Sequence, residues 1–455
     1  MGNFPLGGLE NRMTYSVFPR KNMKAAKFGL YYSGYIFTYR RGNDLINKKI
    51  WEKKIKRFSS AMCLVLIMAN VTGCSASKVA DMFGTSVESA GADKDGSTDD
   101  LSDTAGTEIA ANSTEADASG TDSTGKEPET ETEPEPLLQT VTISATGDCT
   151  LGKTQQHGYE GSFYSYYDKY GEDYFFSGVK DIFENDDFTL VNLECVLTTS
   201  TDRVEKTYNL KGEPEYAGIL PASSIEGCSL GNNHTYDYGE SSHTDTENAL
   251  NEVGVDFAFQ DHLGTYTTDE GIVIGFVSAN LLSMSSTYED YLYNGIAELK
   301  EQGSDVIIAC CHWGIERTYY PNDYQQNLAH GLIDAGADLV IGNHPHVLQG
   351  VEVYNGKVIC YSLGNFCFGA NRNPNDKDTM IFQQTFTFVD GEMQNDIDAD
   401  IIPCTLSSTD SYNDFKPTVA AGSRKQTIID NMNTYSAPYS EISFDSEGKL
   451  IYTLP

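Results

Sequence analysis

From about residue 140 the chain alternates short apolar runs with helix-like stretches, and this alternation restricts the fold more than any other feature. Residues 141–145, 188–193, 271–277, 305–311 and 338–341 are too short for buried helices and apolar enough for buried strands. Helix patterns occupy 176–186, 241–253, 288–302 and 322–335, and Gly336 stops the last of them. Strand, helix, strand in repetition predicts an α/β domain. Asn355-Gly356, set between 351–354 and 357–361, predicts a tight hairpin. Residues 379–389 and 441–454 read as further antiparallel strands.

Five polar motifs follow the apolar runs. Gly147-Asp148 closes the first strand and Asn192-Leu193-Glu194 the second. Gly231-Asn232-Asn233-His234 follows the apolar end Cys228-Ser229-Leu230. His312-Trp313-Gly314 closes the 305–311 run, and Gly342-Asn343-His344-Pro345-His346 the 338–341 run. Open α/β sheets bind ligands beyond the carboxyl ends of their strands. Asp148, Glu194, Asn233, His312, His344 and His346 together suit Mn, Fe, Zn or Mg better than a thiolate-loving metal. In an extended backbone His344 and His346 point to the same side, with Pro345 ending the strand between them. Taken singly, each residue has an ordinary explanation: a helix cap, a solvated carboxylate, a histidine bonded within the core. Five motifs in succession do not. His157, His243, His262 and His330 lack such a setting and read as structural or surface residues.

The net charge of −35 hides an asymmetry. Residues 1–74 carry 13 basic and 3 acidic side chains, and the rest carry 18 basic and 63 acidic. So acidic a body excludes a nucleic-acid footprint. Lys48-Lys49, Lys53-Lys54 and Lys56-Arg57 precede the short apolar run 61–69, the pattern of an export signal rather than a membrane span. Val71-Thr72-Gly73-Cys74 resembles the lipobox of bacterial lipoproteins, which makes Cys74 the expected lipidated residue and the outer face of the cytoplasmic membrane the expected location. Residues 1–47 read as an upstream extension. Residues 75–139, rich in Ser, Thr, Asp and Glu with almost no aromatics, read as a disordered tether. The eight cysteines after Cys74 mostly sit in strand-like runs and are expected as free buried thiols.

The string Gly147-Asp148, Asn192-Leu193-Glu194, Gly231-Asn232-Asn233-His234, Asp237-Tyr238-Gly239, His312-Trp313-Gly314-Ile315-Glu316, Gly342-Asn343-His344-Pro345-His346 and Tyr361-Ser362-Leu363-Gly364-Asn365-Phe366 resembles the CapA family of poly-gamma-glutamate capsule biosynthesis proteins, similar in turn to calcineurin-like metallophosphoesterases. The resemblance covers about 140–390, with 391–455 as a C-terminal extension. It implies an α/β/β/α sandwich with two central mixed sheets and one or two divalent metals at one edge. Asp148, Glu194 and His346 would hold one metal, and Glu194, Asn233, His312 and His344 the other. The metallophosphoesterase opening motif has a histidine where this chain has Thr150, which weakens the first site. The resemblance also implies His234 as general acid, and Glu316 and Asn365 on the substrate. The expected substrate is an anionic polymer such as poly-gamma-glutamate, or a phosphoester, and the expected setting is a membrane capsule-synthesis complex. Metals in such a pair activate water and clamp anionic oxygens. A non-catalytic role in binding or exporting the polymer is the other class of function these residues allow.

Overall fold

A computed structural model describes residues 31–32, 35–36 and 135–452. The chain divides into two units, 1–124 and 125–455. In the first, Tyr31–Tyr32 pairs antiparallel with Tyr35–Ile36. The expected export signal, Cys74 and nearly all of the expected tether lie outside the described residues.

Two mixed sheets form the second unit. The first has nine strands. Its parallel part runs from Leu138–Thr150 through Phe188–Leu193 and Gly227–Ser229 to Asp256–Ala258. Asp378–Val389 continues it antiparallel on the other side of Leu138–Thr150, followed by Asp398–Thr405. The second sheet has six strands in the order Gly264–Thr267, Val273–Asn280, Val306–His312, Leu339–Asn343, Lys357–Cys360, Val351–Tyr354.

Side chains alternate between two faces of each strand, and that period of two builds the layers. On Phe188–Leu193, Phe188 and Leu190 face the other sheet, while Val191 and Leu193 face outward. On Val306–His312, Val306, Ile308 and Cys310 face inward, and Ile307, Ala309 and Cys311 outward. The inner faces meet in one apolar cluster. Phe176, Phe183 and Leu250 cover the outside of the first sheet. Ser286–Gln302 and Asp323–Ala335 cover the outside of the second through Ile296, Leu299, Leu328 and Leu332. The result is the α/β/β/α sandwich that the resemblance implies.

Three expected helices form within three residues of their predicted bounds: Glu240–Val253, Ser286–Gln302 and Asp323–Ala335. Asn322 and Gln325 close the last with a reciprocal capping box. The hairpin forms with Asn355 at φ 50° and Gly356 at φ 76°, the left-handed pair such a turn demands.

Two expectations need correction. Of 176–186, only Lys180–Phe183 is α-helical. Gly178 pairs with Thr418, and a Cβ there would lie 2.3 Å from the Pro417 carbonyl oxygen, so the backbone is diverted to a neighbour before a helix can start. Within 441–454, the strands shrink to Ser443–Phe444 and Leu450–Ile451. All eight cysteines between Cys149 and Cys404 are buried and unbridged, as expected. Among the described residues no helix is long and apolar enough to cross a membrane.

Candidate metal centre

The inward faces of the central strands carry the site beyond the core. Val141, Ile143 and Ala145 face the other sheet, but Cys149 faces the outer layer. Strict alternation would put Cys149 on the same face as Ala145. The pairing with Phe188–Leu193 slips between Ala145 and Asp148, and this slip turns Asp148 inward. The turn needs Gly147, since a Cβ there would lie 2.0 Å from the Gly364 carbonyl oxygen. Asn192 follows Phe188 and Leu190 on their face and donates from Nδ2 to Asp148 Oδ1 at 2.8 Å. His312 follows Val306, Ile308 and Cys310.

The final motif corrects the expected geometry of the histidine pair. His344 has φ 96° and His346 φ 57°, so neither is extended. Their rings converge, with centroids 5.6 Å apart, through two left-handed residues around Pro345. Such conformations cost about 1–3 kcal/mol each and persist where surrounding contacts enforce them. His344 N–H is held by Asp148 Oδ2 at 3.3 Å, and Asn365 Nδ2 donates to the His346 carbonyl at 3.1 Å.

Glu194 is the hub. It is fully buried, and neither carboxylate oxygen has a hydrogen-bond partner. Its Oε1 lies 3.6 Å from His312 Nε2, 3.8 Å from His346 Nε2 and 4.0 Å from His234 Nε2. Ligand atoms of Glu194, His344 and His346 all fall within 4.8 Å of one another. His344 Nδ1 is a further buried atom without a partner. Leaving such groups bare costs about 1–3 kcal/mol each, more for a charge. Burial, and then the Asp148 charge, push the Glu194 carboxyl well above its ordinary range. Burial and the other histidines hold His312 far down and bring His344 to about 4. Burial also acts to lower His346, but Glu194 and Asp148 prevail and raise it to about 10. Glu194 and His346 thus favour added positive charge, while His312 and His344 are held as neutral rings. Bare oxygen and imidazole atoms around one point fit a divalent cation of the Mn, Fe, Zn or Mg kind.

The other expected residues take definite places. His312 Nε2 and Asn233 Oδ1 are 2.8 Å apart, so both stand beside Glu194 but bond each other. Asp148 lies 3.0 Å from His346 Nδ1 through Oδ2. Thr150 supplies no imidazole; its hydroxyl donates to the Glu194 carbonyl at 3.2 Å and fixes the backbone of the hub. Asn365 bonds His346 Nδ1 through Oδ1 at 2.9 Å. Glu316 is exposed and lines, with His346, Asn365 and Arg317, a cleft of about 610 Å³. His243 and His330 lie on helices, His330 bonded to Glu352 at 2.9 Å.

Two participants carried no assigned role in the sequence. Asp237 is buried and accepts from His234 Nδ1 at 2.6 Å, leaving Nε2 turned toward Glu194. Lys206 Nζ lies 2.7 Å from Asp237 Oδ1 and donates to the Asn233 carbonyl at 2.9 Å. Asp237 stands three residues after His234, within one turn, and that spacing was a usable signal. Lys206 comes from an irregular loop and left none. Burial lowers the His234 pKa and Asp237 opposes it, with a net fall. His234 is thus neutral at neutral pH, with one nitrogen anchored and the other facing the hub.

Residues 142–370 match the family described as bacterial capsule synthesis protein PGA_cap. The chain is 29% identical over 253 residues to a capsule biosynthesis protein CapA of Bacillus anthracis, a match covering 50% of this chain and 60% of that one. It is 32% identical over 219 residues to a PGA biosynthesis protein CapA of Bacillus subtilis (strain 168), covering 44% and 57%. A probable polyglutamine synthesis accessory protein of Mycobacterium tuberculosis (strain CDC 1551 / Oshkosh) is 27% identical over 210 residues, covering 39% and 55%. The matched part spans less than two thirds of each relative.

Proposed function

Since the chain belongs to the bacterial capsule synthesis protein family PGA_cap, we propose that it works in the synthesis of a poly-gamma-glutamate or related capsule polymer, as a metal-dependent hydrolase or transferase acting on an anionic polymer or phosphoester. In this proposal a lipid on Cys74 anchors it to the outer face of the cytoplasmic membrane, beside a membrane capsule-synthesis complex. The observation that carries the enzymatic reading is Glu194, buried, without a hydrogen bond and ringed by His234, His312 and His346.

Glu194 and His344 would hold the metal, with His346, His312 and Asn233 closing around it and Asp148 behind His346. A divalent ion there supplies an activated water and charge for anionic oxygens. The protein supplies proton handling. Asp237 fixes His234 so that its bare Nε2 faces the reacting region, where it would take the proton given up by the attacking water and pass it to the departing group, ending as the neutral ring it began as. Asn192 and Asn365 hold Asp148 and His346 in place.

The test is metal content of the purified chain, followed by hydrolysis of p-nitrophenyl phosphate and shortening of poly-gamma-glutamate. The expected outcome is stoichiometric metal with turnover of one of these substrates. His234→Ala is expected to lower that turnover by about 100-fold with metal retained. Stoichiometric metal without cleavage of either substrate assigns the chain to polymer binding or export instead. A separate check is the mass of the mature N-terminus, where an unmodified chain retaining residues 50–73 refutes the lipid anchor.

A further inference from the structure

We propose that the loop flanking His234 carries an anion subsite, built from Arg203 and Lys211 over Tyr238, that takes a carboxylate of the polymer next to the one being processed. The proposal rests on the function proposed above and adds where the substrate chain lies.

The corner is unusual for this molecule. Of the 15 lysines and arginines between 135 and 452, four fall within it: Lys153, Arg203, Lys206 and Lys211. A pocket of about 670 Å³ opens there, lined by Ser200, Thr201, Asp202, Arg203, Lys211 and Tyr238. Lys211 Nζ stands 5.5 Å from the centroid of the buried Tyr238 ring and donates to the Ser200 carbonyl at 3.1 Å, which fixes its position, while Glu213 Oε1 lies 3.9 Å away, a loose pairing that a closer carboxylate would displace. Arg203 is exposed at the mouth and has no ion pair among the described residues. Lys153 lies directly opposite Lys211 across an antiparallel ladder. Like charges so placed destabilise a ladder, and an anion bound there would relieve the repulsion. Lys206 is not available, because Asp237 already takes it.

Position relates the pocket to the chemistry. Tyr238 directly follows Asp237, and Lys211 directly follows Leu210, whose N–H donates to Asp237 Oδ2 at 2.5 Å. The floor is therefore one residue from the carboxylate that anchors His234, and the wall one residue from a backbone N–H that donates to it. The cleft on the opposite flank, beside His346, includes Glu316, Asp376 and Asp378 against Arg317 and Arg424, and Arg424 is already spent on Asp378 at 2.5 Å. The pocket on the His234 flank sets Arg203 and Lys211 against Asp202 alone, whereas the lining of the opposite cleft has more acidic than basic side chains. The carboxylates of a polyanion would follow the cationic corner toward the centre, where one would pair with Arg203 and Lys211.

The experiment is equilibrium binding of fluorescein-labelled poly-gamma-glutamate to the full chain, by anisotropy over a range of salt concentrations, with neutral dextran as control. Arg203→Ala is expected to raise the Kd about tenfold, Arg203→Glu more and Arg203→Lys less, with a shallower salt dependence than the parent. Metal content, measured on the same preparations, should equal the parent's. Binding by Arg203→Glu within about twofold of the parent overturns the subsite. If the parent then still holds its metal, the centre stands without the subsite. Equal binding of dextran, or no polymer binding by a metal-loaded parent, also overturns it.

Discussion

The two sides of Glu194 differ in how much the protein itself satisfies them. On the Asp148 side every group has a partner. Asp148 takes the Asn192 amide and the His344 N–H, and pairs with His346, which Asn365 also holds. On the other side His344 Nδ1 and both Glu194 oxygens have none. The first side closes on the Nδ1 proton of His346, held between Asp148 and Asn365. The second is completed only by something from outside. A cation therefore has to displace a proton on one side, while on the other it meets the bare Glu194 oxygens and His344 Nδ1 and has only the His312–Asn233 bond to open.

The largest expected effect follows from removing the hub's charge. Glu194→Gln should weaken metal binding by about 100-fold or more, because both sides share that carboxylate. Competition with a chelating dye reads it, and a change below tenfold would dissolve the comparison. The next test sets the sides against each other. His344→Ala should cost about 10–100-fold in metal affinity and His346→Ala several-fold less, since metal binding must first displace the proton on His346. Equal losses would erase the asymmetry.

Asp237→Asn should lower turnover about tenfold while metal content holds, because the variant loosens His234 rather than the ligands. Asp237 acts to raise the His234 pKa, so its removal should also move the His234 limb of the pH–rate profile to lower pH. An unshifted limb would make Asp237 a folding residue only.

The last effect is read in stability rather than in binding or turnover. His346 is raised from about 6.5 to about 10, so its stabilising contribution is complete below about 6.5 and lost as pH rises to about 10. The chelated chain should lose thermal stability across pH 7–10, by at most about 1.4 kcal/mol per pH unit. The metal-loaded chain should lose less, and parallel curves would show that metal does not replace that proton.

Most of this arrangement is legible in the sequence because it lies on strands. Phe188-Thr189-Leu190-Val191-Asn192-Leu193 states its own layer assignment by alternation and delivers Asn192 and Glu194 to the correct end. His312 is likewise placed by the run before it. What is not legible depends on a neighbour. The slip that turns Asp148 inward exists only in the pairing with Phe188–Leu193. The left-handed turns at His344 and His346 are enforced partly by Asp148 and Asn365. Helices also escape where their pattern is weak. Phe163–Tyr170 is an aromatic-rich segment with one buried residue, and Gly422–Ser436 is largely polar with few core contacts. Conversely, Phe175, Phe176, Val179 and Phe183 have a helix-like spacing, yet the contact of Gly178 with Pro417 breaks the helix.

The most direct test of the centre is anomalous diffraction from crystals of the full chain soaked in manganese. The account predicts a peak within coordinating distance of the Glu194 carboxylate and of His344, with any second peak toward Asp148 and His346 the weaker one. No peak at Glu194, in a chain whose histidines are otherwise as described, would contradict it.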